Sequence, residues 1–382
     1  MASNSVFILA IDGGGIRGII PAYILSAIEA ATGKSCYQLF NIIGGTSTGG
    51  IIASGLTTPD PAGPGQEPFT ASYLLSIYTQ DGDKIFFHQS CELEYCATYF
   101  ADDGNGNGIE PYLQSIVGPT TSLSETYIAV ASLPTARVTQ LFTTGYQVNS
   151  KDQSPPNPQM GIDYGPYLFN WYDAVNNPAN DYYVWEAARA TGAAPIYFPI
   201  AHVGGGSGPR SGAAERWVID GGTMSNNPAV WGLSEAFRTG LTTTLENIVI
   251  ISLGTGVYPG GAGVGINNNS TSWDNVPPNG NWSGYPWVLM DMYDLEGNLN
   301  SDGTLINVIL DAVQLVSTAQ LSAFTNAGLT FYRLEPQLPL SLAALDNITP
   351  ANIEALLNCV QQYLQNEGAE VFNSVIAALT EG

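Results

Sequence analysis

The chain has 382 residues, of which 45% are hydrophobic and 11% are charged, so it carries ample apolar surface for a folded core and differs from disordered proteins. Its 33 acidic and 10 basic residues give a net charge of −23, which argues against nucleic-acid binding and against a polybasic membrane patch. No apolar run approaches the ~20 residues that span a bilayer, so we expect no transmembrane segment.

The first elements predict two strand-loop-helix units in succession. Residues 6–11 form an apolar run that predicts a buried strand, and the glycine-rich loop 12–18 leads into a helical pattern over residues 19–32. Residues 40–50 repeat this plan. Two such units predict a parallel sheet covered by helices, in an α/β fold.

The turn of the second unit carries a Gly-x-Ser-x-Gly pattern formed by Gly45, Ser47 and Gly49. Such a strand-to-helix turn requires a strained backbone at the serine, and glycines two residues to either side leave room for it. The turn presents the hydroxyl at the carboxyl end of the sheet, beside the positive end of the next helix. Ser47 is therefore the candidate nucleophile.

Further strands and helices are predicted along the rest of the chain. We expect helices at 71–79, 183–191 and 305–327, a helix start at the Asn-Asn-Pro of 226–228, and one or two closing helices within 353–379. We expect strands at 126–131, 138–144, 216–219, 248–253 and 331–334. We predict a single domain over residues 1–382, with loop insertions near 57–70, 149–165, 204–212 and 258–285.

The cysteines and histidines do not indicate a metal site. Cys36, Cys91, Cys96 and Cys359 lack paired metal-ligand spacing, and Cys91 with Cys96 fits either a loop disulfide or two buried thiols. The two histidines, His88 and His202, are too few for a histidine-rich site. We expect neither a metal nor a cofactor.

The first glycine loop admits more than one interpretation. Gly13, Gly15 and Gly18 match a dinucleotide-binding pattern, but the nearest acidic residue, Glu29, lies inside the first helix and not at the end of a second strand. Asp12, at the strand end, also fits the phosphate loops of sugar kinases and actin-like ATPases. Neither interpretation explains the serine turn that follows.

An acyl hydrolase explains both turns. The N–H groups of Gly13, Gly14 and Gly15 could converge on the oxyanion that forms when a serine attacks an ester. Arg17 has two interpretations, an ion pair that fixes this loop or attraction for a substrate phosphate.

A serine hydrolase commonly uses a histidine as its base, but neither histidine here follows a predicted strand. Asp220 ends a predicted strand and is followed by two glycines that leave room beside it. A carboxylate in partly apolar surroundings has a raised pKa and becomes a better base. We therefore expect a Ser47–Asp220 dyad, although an isolated Asp-Gly-Gly is also typical of a simple turn.

Taken together, these motifs resemble the patatin-like acyl hydrolases. The matching segments are 12–18 (DGGGIRG), 45–49 (GTSTG), 188–191 (ARAT), 193–195 (AAP), 197–199 (YFP), 220–222 (DGG), 226–228 (NNP), 252–256 (SLGTG) and 331–334 (FYRL). The resemblance implies a three-layer α/β/α fold with a mainly parallel sheet, a dyad at Ser47 and Asp220, and an oxyanion hole in the loop Gly13 to Gly15. Gly192 stands where such proteins commonly have a serine.

The resemblance also implies a lipid acyl hydrolase, without metal, that cleaves acyl esters of phospholipids, galactolipids or simpler alcohols. We expect transient contact with a membrane or micelle surface. Trp282, Tyr285 and Trp287 are candidate contributors, and buried packing is an equally good interpretation of each. Two alternatives stay open: an acyltransferase that uses the same dyad, and a storage or lipid-binding protein with incidental esterase activity. Because no basic leader precedes the first strand, we expect a cytoplasmic protein.

Overall fold

The structure is a computed structural model that describes residues 5–63, 66–89, 97–150, 164–257, 292–293, 299–300 and 304–381. The strands are β1 (Val6–Ile11), β2 (Ile42–Gly45), β3 (Gln140–Ser150), β4 (Gly165–Asn170), β5 (Ala201–Val203), β6 (Arg216–Asp220), β7 (Ile248–Leu253), β8 (Met292–Tyr293), β9 (Leu299–Asn300) and β10 (Thr330–Leu334). The helices of the first half are α1 (Ile19–Thr32), α2 (Cys36–Leu39), α3 (Thr48–Gly55), α4 (Ala71–Gln80), α5 (Gly82–Ile85), α6 (Ile109–Val117), α7 (Leu123–Ala131), α8 (Trp171–Asn176) and α9 (Val184–Thr191). Those of the second half are α10 (Gly222–Ser225), α11 (Ala229–Arg238), α12 (Thr304–Phe324), α13 (Pro350–Gln365) and α14 (Ala369–Glu381).

The central sheet is mainly parallel, as the two strand-loop-helix units predict. Its strands lie in the order β10-β7-β1-β2-β3-β6-β5, with β4 also paired to β3. The five strands from β10 to β3 are parallel to one another. At the other side of the sheet, β4 and β6 run antiparallel to β3, and β5 runs antiparallel to β6.

Helices cover both faces of this sheet, which confirms the three-layer α/β/α fold. Successive side chains of a strand point to opposite faces of the sheet. All six residues of β1 are buried, so both faces of this strand are covered. Phe7, Leu9 and Ile11 pack in a core with α1, α3, α4 and α9. Their neighbours on the opposite face pack with α11 and with Leu321 of α12.

One predicted element is wrong. The β-branched residues of 126–131 predict a strand, whereas the chain forms helix α7 over Leu123–Ala131. Ser122 and Glu125 form a capping box at its start, so each side chain satisfies a backbone N–H of the first turn. Thr126 and Val130 are buried while Ile128 is 64% exposed, which is a helical periodicity that tertiary packing selects.

The predicted glycine-rich segment 204–212 joins β5 to β6 as a hairpin loop, with glycines in left-handed conformations. Residues 151–163 and 258–291 lie outside the described residues, and so do Cys91, Cys96, Trp282, Tyr285 and Trp287. Among the helices that are described, none has the length and apolar character to cross a membrane.

An ion pair in the sheet fixes the carboxyl end of β1. Asp12 is fully buried, and the Arg333 guanidinium of β10 binds both of its oxygens at 2.6 and 3.0 Å. The same guanidinium reaches the Ser252 hydroxyl at 2.7 Å and Glu335 at 2.9 Å. Burial raises the pKa of Asp12 and Arg333 opposes that rise, so the cation is needed to keep a buried charge at this position.

Replacing Arg333 with Met tests this pair. The change leaves Asp12 buried without its cation, so we expect a loss of about 3–5 kcal/mol in the free energy of unfolding, measured by urea denaturation. When a carboxyl has a higher pKa in the folded chain than in the unfolded chain, the folded protein becomes less stable as the pH rises through that range. The loss should therefore be larger at about pH 8 than at about pH 5.5. Lys84→Met, at an exposed pair with Asp81, is the control and should change stability little. Equal effects of the two substitutions contradict the account.

Candidate active site

Ser47 lies on the turn between β2 and α3, as the Gly-x-Ser-x-Gly pattern predicts. Its φ of 52° and ψ of −125° lie outside the regions that a serine normally occupies. The surrounding structure holds this strain, because the Ser47 N–H donates to the Thr191 hydroxyl at 2.9 Å. Its carbonyl accepts from the Ile51 N–H of α3 at 3.0 Å. Strained residues that are over-determined in this way are typical of functional sites.

The two glycines of the pattern are required by close backbone approach. A Cβ on Gly45 would overlap the Gly49 carbonyl, and a Cβ on Gly49 would overlap the carbonyls of Ile11 and Asp12 at the end of β1. Both clashes are with backbone atoms, so a larger side chain cannot be accommodated by a rotamer change. The turn therefore packs directly on the carboxyl end of β1.

Asp220 reaches the same edge from the opposite direction. Strand β3 extends beyond β2: Gly45, the last residue of β2, pairs with Thr143, whereas β3 continues to Ser150. Strand β6 returns antiparallel along this extension and ends where Asp220 pairs with Gly145. Its final residue is thereby brought level with the serine turn.

Ser47 and Asp220 line the same pocket, and the Ser47 side chain lowers the pKa of the carboxylate. Asp220 is 4% exposed and accepts a hydrogen bond from the Gly222 N–H at 2.7 Å. Burial raises the pKa of Asp220 to about 7, and the hydrogen bonds from Ser47 and Gly222 counteract part of that rise. A carboxyl with such a pKa can exist in either protonation state near neutral pH.

A buried arginine acts through its charge on the Asp220 carboxylate. Arg189 of α9 is 1% exposed, and its positive charge lowers the pKa of Asp220. Its Nε donates to Glu110 at 3.0 Å and its Nη2 donates to the Pro199 carbonyl at 2.6 Å. Among the described residues its Nη1 has no hydrogen-bond partner. Arg189 therefore balances two carboxylates, and the more deeply buried of them is Asp220.

The glycine loop lies beside the serine, but its three amides differ. The Gly13 N–H donates to the Asn226 carbonyl at 3.1 Å and is therefore engaged. In the described part of the chain, the N–H groups of Gly14 and Gly15 donate to no backbone carbonyl or side chain. Gly13, Gly14 and Gly15 all line the pocket that contains Ser47. The geometry thus leaves Gly14 and Gly15 as the candidate oxyanion donors.

Arg17 lies with its backbone in the short helical turn that follows this loop. It is 8% exposed, and its Nε donates to the Gly14 carbonyl at 3.3 Å. This contact is the loop support that the sequence suggests as one role. The side chain also lines the pocket, so contact with a substrate phosphate remains a separate prediction.

The pocket in front of the serine is mainly apolar. Its lining includes Ile51, Ile85, Phe86, Ile109, Phe198 and Leu310, together with Ser47, Asp220 and the glycine loop. Ile85, Phe86 and Ile109 are buried, whereas Ala194 and Pro195 are partly exposed. The pocket therefore combines partly exposed residues, among them Ala194, Pro195 and Ser47, with a buried apolar part formed by Ile85, Phe86 and Ile109.

Neither histidine lines this pocket. His202 stacks on Trp217 with ring centroids 4.1 Å apart, and its Nε2 lies 2.7 Å from Glu215. His88 contacts the Tyr99 ring edge-on. In the ranges that the structure covers, no group of three His, Cys, Asp or Glu side chains could hold a metal ion.

Sequence reasoning missed the residues that support the site. Thr191 and Arg189 lie in the ARAT segment of α9: Thr191 binds the Ser47 N–H, and the charge of Arg189 lowers the pKa of Asp220. Asn226 and Thr255 hold the Gly13 peptide. Their motifs are visible in the sequence, but nothing there shows that the four side chains meet around one serine.

The family model and the curated relatives that match this chain are all of the patatin type. The family model described as patatin-like phospholipase matches residues 9–230. Patatin-like protein 2 of Arabidopsis thaliana is 31% identical, over 61% of this chain and 53% of its own length. Patatin-15 of Solanum tuberosum is 27% identical, over 66% of this chain and 60% of its own length. The chain thus spans 53–60% of these curated relatives. A crystal structure of VipD from Legionella pneumophila covers 66% of this chain and 50% of that chain, with 12% identity and a TM-score of 0.31, which is too low to support an argument.

The raised pKa of Asp220 predicts the pH dependence of ester cleavage. A carboxyl can accept the serine proton only when it is ionised. We therefore expect kcat/KM for a neutral ester to rise with pH, and the midpoint of this rise to lie at about pH 7. Arg189→Met removes a charge that lowers this pKa and should shift the midpoint upward. Arg210→Met, in the 204–212 hairpin, is the control. A pH-independent rate, or equal shifts in both variants, contradicts the role of Asp220.

Proposed function

Because this chain belongs to the patatin-like phospholipase family, we propose that it is a lipid acyl hydrolase that uses Ser47 and Asp220 as a catalytic dyad. One observation carries the proposal: a strained, partly exposed serine and a buried carboxylate line the same apolar pocket, and the serine side chain lowers the pKa of that carboxylate. The family match and the curated patatins support the lipid hydrolase class. The dyad and the substrates are inferred from the residues of the pocket.

The first step is attack by Ser47 on the ester carbonyl carbon. Ionised Asp220 accepts the hydroxyl proton as the Oγ–C bond forms, and the carbonyl oxygen becomes an oxyanion. The protonated Asp220 then gives this proton to the leaving alcohol as the ester C–O bond breaks. What remains is an acyl group on Ser47. A carboxylate with a pKa near neutrality suits both roles, because it neither holds nor releases the proton too strongly.

The Gly14 and Gly15 N–H groups stabilise the oxyanion in this proposal. Neither is engaged by a partner in the described residues, and both line the pocket. Removing one such donor from an oxyanion hole typically costs about 3 kcal/mol of transition-state stabilisation. The positive end of helix α3, which begins at Thr48, adds to the same field.

The second step releases the acid. Asp220 takes a proton from a water molecule, whose oxygen attacks the acyl carbon, and the proton returns to Ser47 as the acyl–Oγ bond breaks. The same geometry serves both steps because the attacking oxygen occupies the position of the departed alcohol. No metal or cofactor is needed for this sequence of bond changes.

The apolar inner end of the pocket suits one acyl chain. The side chains of Ile85, Phe86 and Ile109 offer no charge there, and each buried methylene of a substrate contributes about 0.8 kcal/mol. With an acyl chain in this position, its carbonyl lies at Ser47. The alcohol or headgroup then lies toward the partly exposed residues of the lining, which include Ala194 and Pro195.

We also propose that the exposed residues next to Ala194 and Pro195 make transient contact with a lipid surface. Ile196 and Ile200 are 44% and 48% exposed and flank the pocket residues Tyr197 and Phe198. Ile196 has a φ of 77°, which is strained for a β-branched residue. Its carbonyl accepts from the Thr98 N–H at 2.9 Å, which fixes the backbone of this exposed residue.

Substitution of the dyad tests the proposal. Ser47→Ala removes the nucleophile and should lower ester hydrolysis by a factor on the order of 10⁴ or more, measured with p-nitrophenyl acyl esters. The matched control is Ser54→Ala, since Ser54 lies in the same helix and donates to the Gly50 carbonyl. Changing His88 and His202 together to Ala should leave most activity. Retained activity in Ser47→Ala rules out the dyad, and an inactive but folded double mutant restores a histidine mechanism.

Chain-length preference tests the acyl pocket. Ile51 lines the pocket one helical turn after Ser47, so Ile51→Trp should narrow it. We expect the ratio of kcat/KM for palmitoyl over butyryl esters to fall about tenfold or more, because a long chain loses several methylene contacts. Ile51→Val is the conservative control and should preserve the ratio. Equal losses for both esters place the acyl chain elsewhere.

A further inference from the structure

Thr255 contacts the glycine loop from behind. It lies two residues after the end of β7, is 2% exposed, and donates from its hydroxyl to the Gly13 carbonyl at 2.7 Å. The Asn226 side-chain amide donates to the same carbonyl at 3.4 Å. A Cβ on Gly14 would overlap the Thr255 side chain, so the two residues are in direct packing contact. The Gly13 carbonyl is therefore held between Thr255, which is not among the pocket-lining residues, and Asn226, which is.

This contact sets the direction of the next amide. A trans peptide unit is planar, so the Gly13 C=O and the Gly14 N–H belong to one rigid plane and point in opposite directions. Holding the carbonyl toward Thr255 turns the Gly14 N–H the other way, and Gly14 lines the pocket that contains Ser47. Glycine at positions 13 and 14 would otherwise let this plane rotate, because glycine has few steric limits on φ and ψ.

A buried chain of polar groups fixes the second donor to that carbonyl. The Asn226 amide also donates to Gln314 of α12 at 3.1 Å, and Gln314 donates to Glu335 at 2.5 Å. Glu335 lies 2.9 Å from Arg333, which pairs with Asp12 immediately before the loop. The Gly13 carbonyl thus has one donor that belongs to a network, Asn226, and one separate donor, the Thr255 hydroxyl.

We infer that Thr255 is a positioning residue that aims the Gly14 N–H at the oxyanion by binding the Gly13 carbonyl. The inference rests on the proposed function, since it assigns a role only if Ser47 forms an oxyanion on an acyl substrate. Thr255 itself does not touch the reacting atoms. Its effect is confined to the charged transition state, because substrate binding in the apolar pocket does not require the amide.

The test compares Thr255→Val with Thr255→Ser. Valine keeps the shape and loses the hydroxyl, so kcat should fall about tenfold to a hundredfold, somewhat less than the loss of an oxyanion donor itself, while KM stays within about twofold. Serine keeps the hydroxyl and should retain kcat within about threefold of the wild type. An acyl trifluoromethyl ketone, whose adduct with Ser47 carries an oxyanion, should lose affinity for the valine variant by a similar factor.

Thr255→Ala and the melting temperatures of all variants distinguish a loss of amide positioning from misfolding. The alanine variant is smaller and should repeat the loss in kcat. Wild-type kcat in a folded Thr255→Val or Thr255→Ala, or equal losses in the valine and serine variants, overturns the inference. The same holds if both variants without the hydroxyl fail to fold while serine behaves as wild type, since the hydroxyl is then structural. Ser47→Ala, assayed alongside, separates the two claims: its full activity refutes the proposed function, and with it the inference, whatever the Thr255 variants show.

Discussion

The burial of the Asp220 carboxylate beside the Ser47 hydroxyl is the interaction on which the rest of the site depends. In water an aspartate is too weak a base for a serine, whose proton is held far more tightly. Burial raises the pKa of Asp220 to about 7, and hydrogen bonds from Ser47 and Gly222 together with the charge of Arg189 limit the rise. In the proposed dyad, Asp220 is thus basic enough to accept a proton without being permanently protonated.

The fold makes this contact possible through unequal strand lengths. Strand β3 has eleven residues and β2 has four, so β3 extends past the serine turn and offers β6 an antiparallel partner. Strand β6 begins opposite Ser150 and runs back to Gly145, so its last residue, Asp220, comes level with the serine turn. The Asp12–Arg333 pair then anchors the adjacent end of β1, where the glycine loop begins. Thus both turns and the carboxylate meet at one edge.

Much of this could be predicted from the sequence, since local signals agree with the final structure. The run of 6–11, the helix of 19–32 and the serine turn each follow from periodicity and glycine placement, and they occur where expected. The strand predicted at 126–131 failed because β-branched residues indicate a strand only weakly, and the capping box at Ser122 and Glu125 decided for a helix. The motifs around Ser47 and Asp220 predict the dyad from the sequence alone, and its assignment stays a prediction.

Other features depend on contacts between residues far apart in the chain. The engaged N–H of Gly13 could not be foreseen, because its partner is the carbonyl of Asn226, more than two hundred residues away. The sequence shows Arg189 only as a residue of a predicted helix. Its hydrogen bond to Glu110 and its effect on the pKa of Asp220 follow from the folded structure. Sequence patterns identify the residue types of a site, whereas orientation and pKa follow from tertiary packing.

Covalent trapping tests the central claim most directly. An alkyl fluorophosphonate reacts with an activated serine, so intact-mass measurement and peptide mapping reveal which residue carries the adduct. The account predicts one adduct per chain, located on Ser47, with loss of activity in step with labelling and much slower labelling in Asp220→Asn. An adduct on another residue, or full hydrolytic activity after Ser47 is labelled, would contradict it.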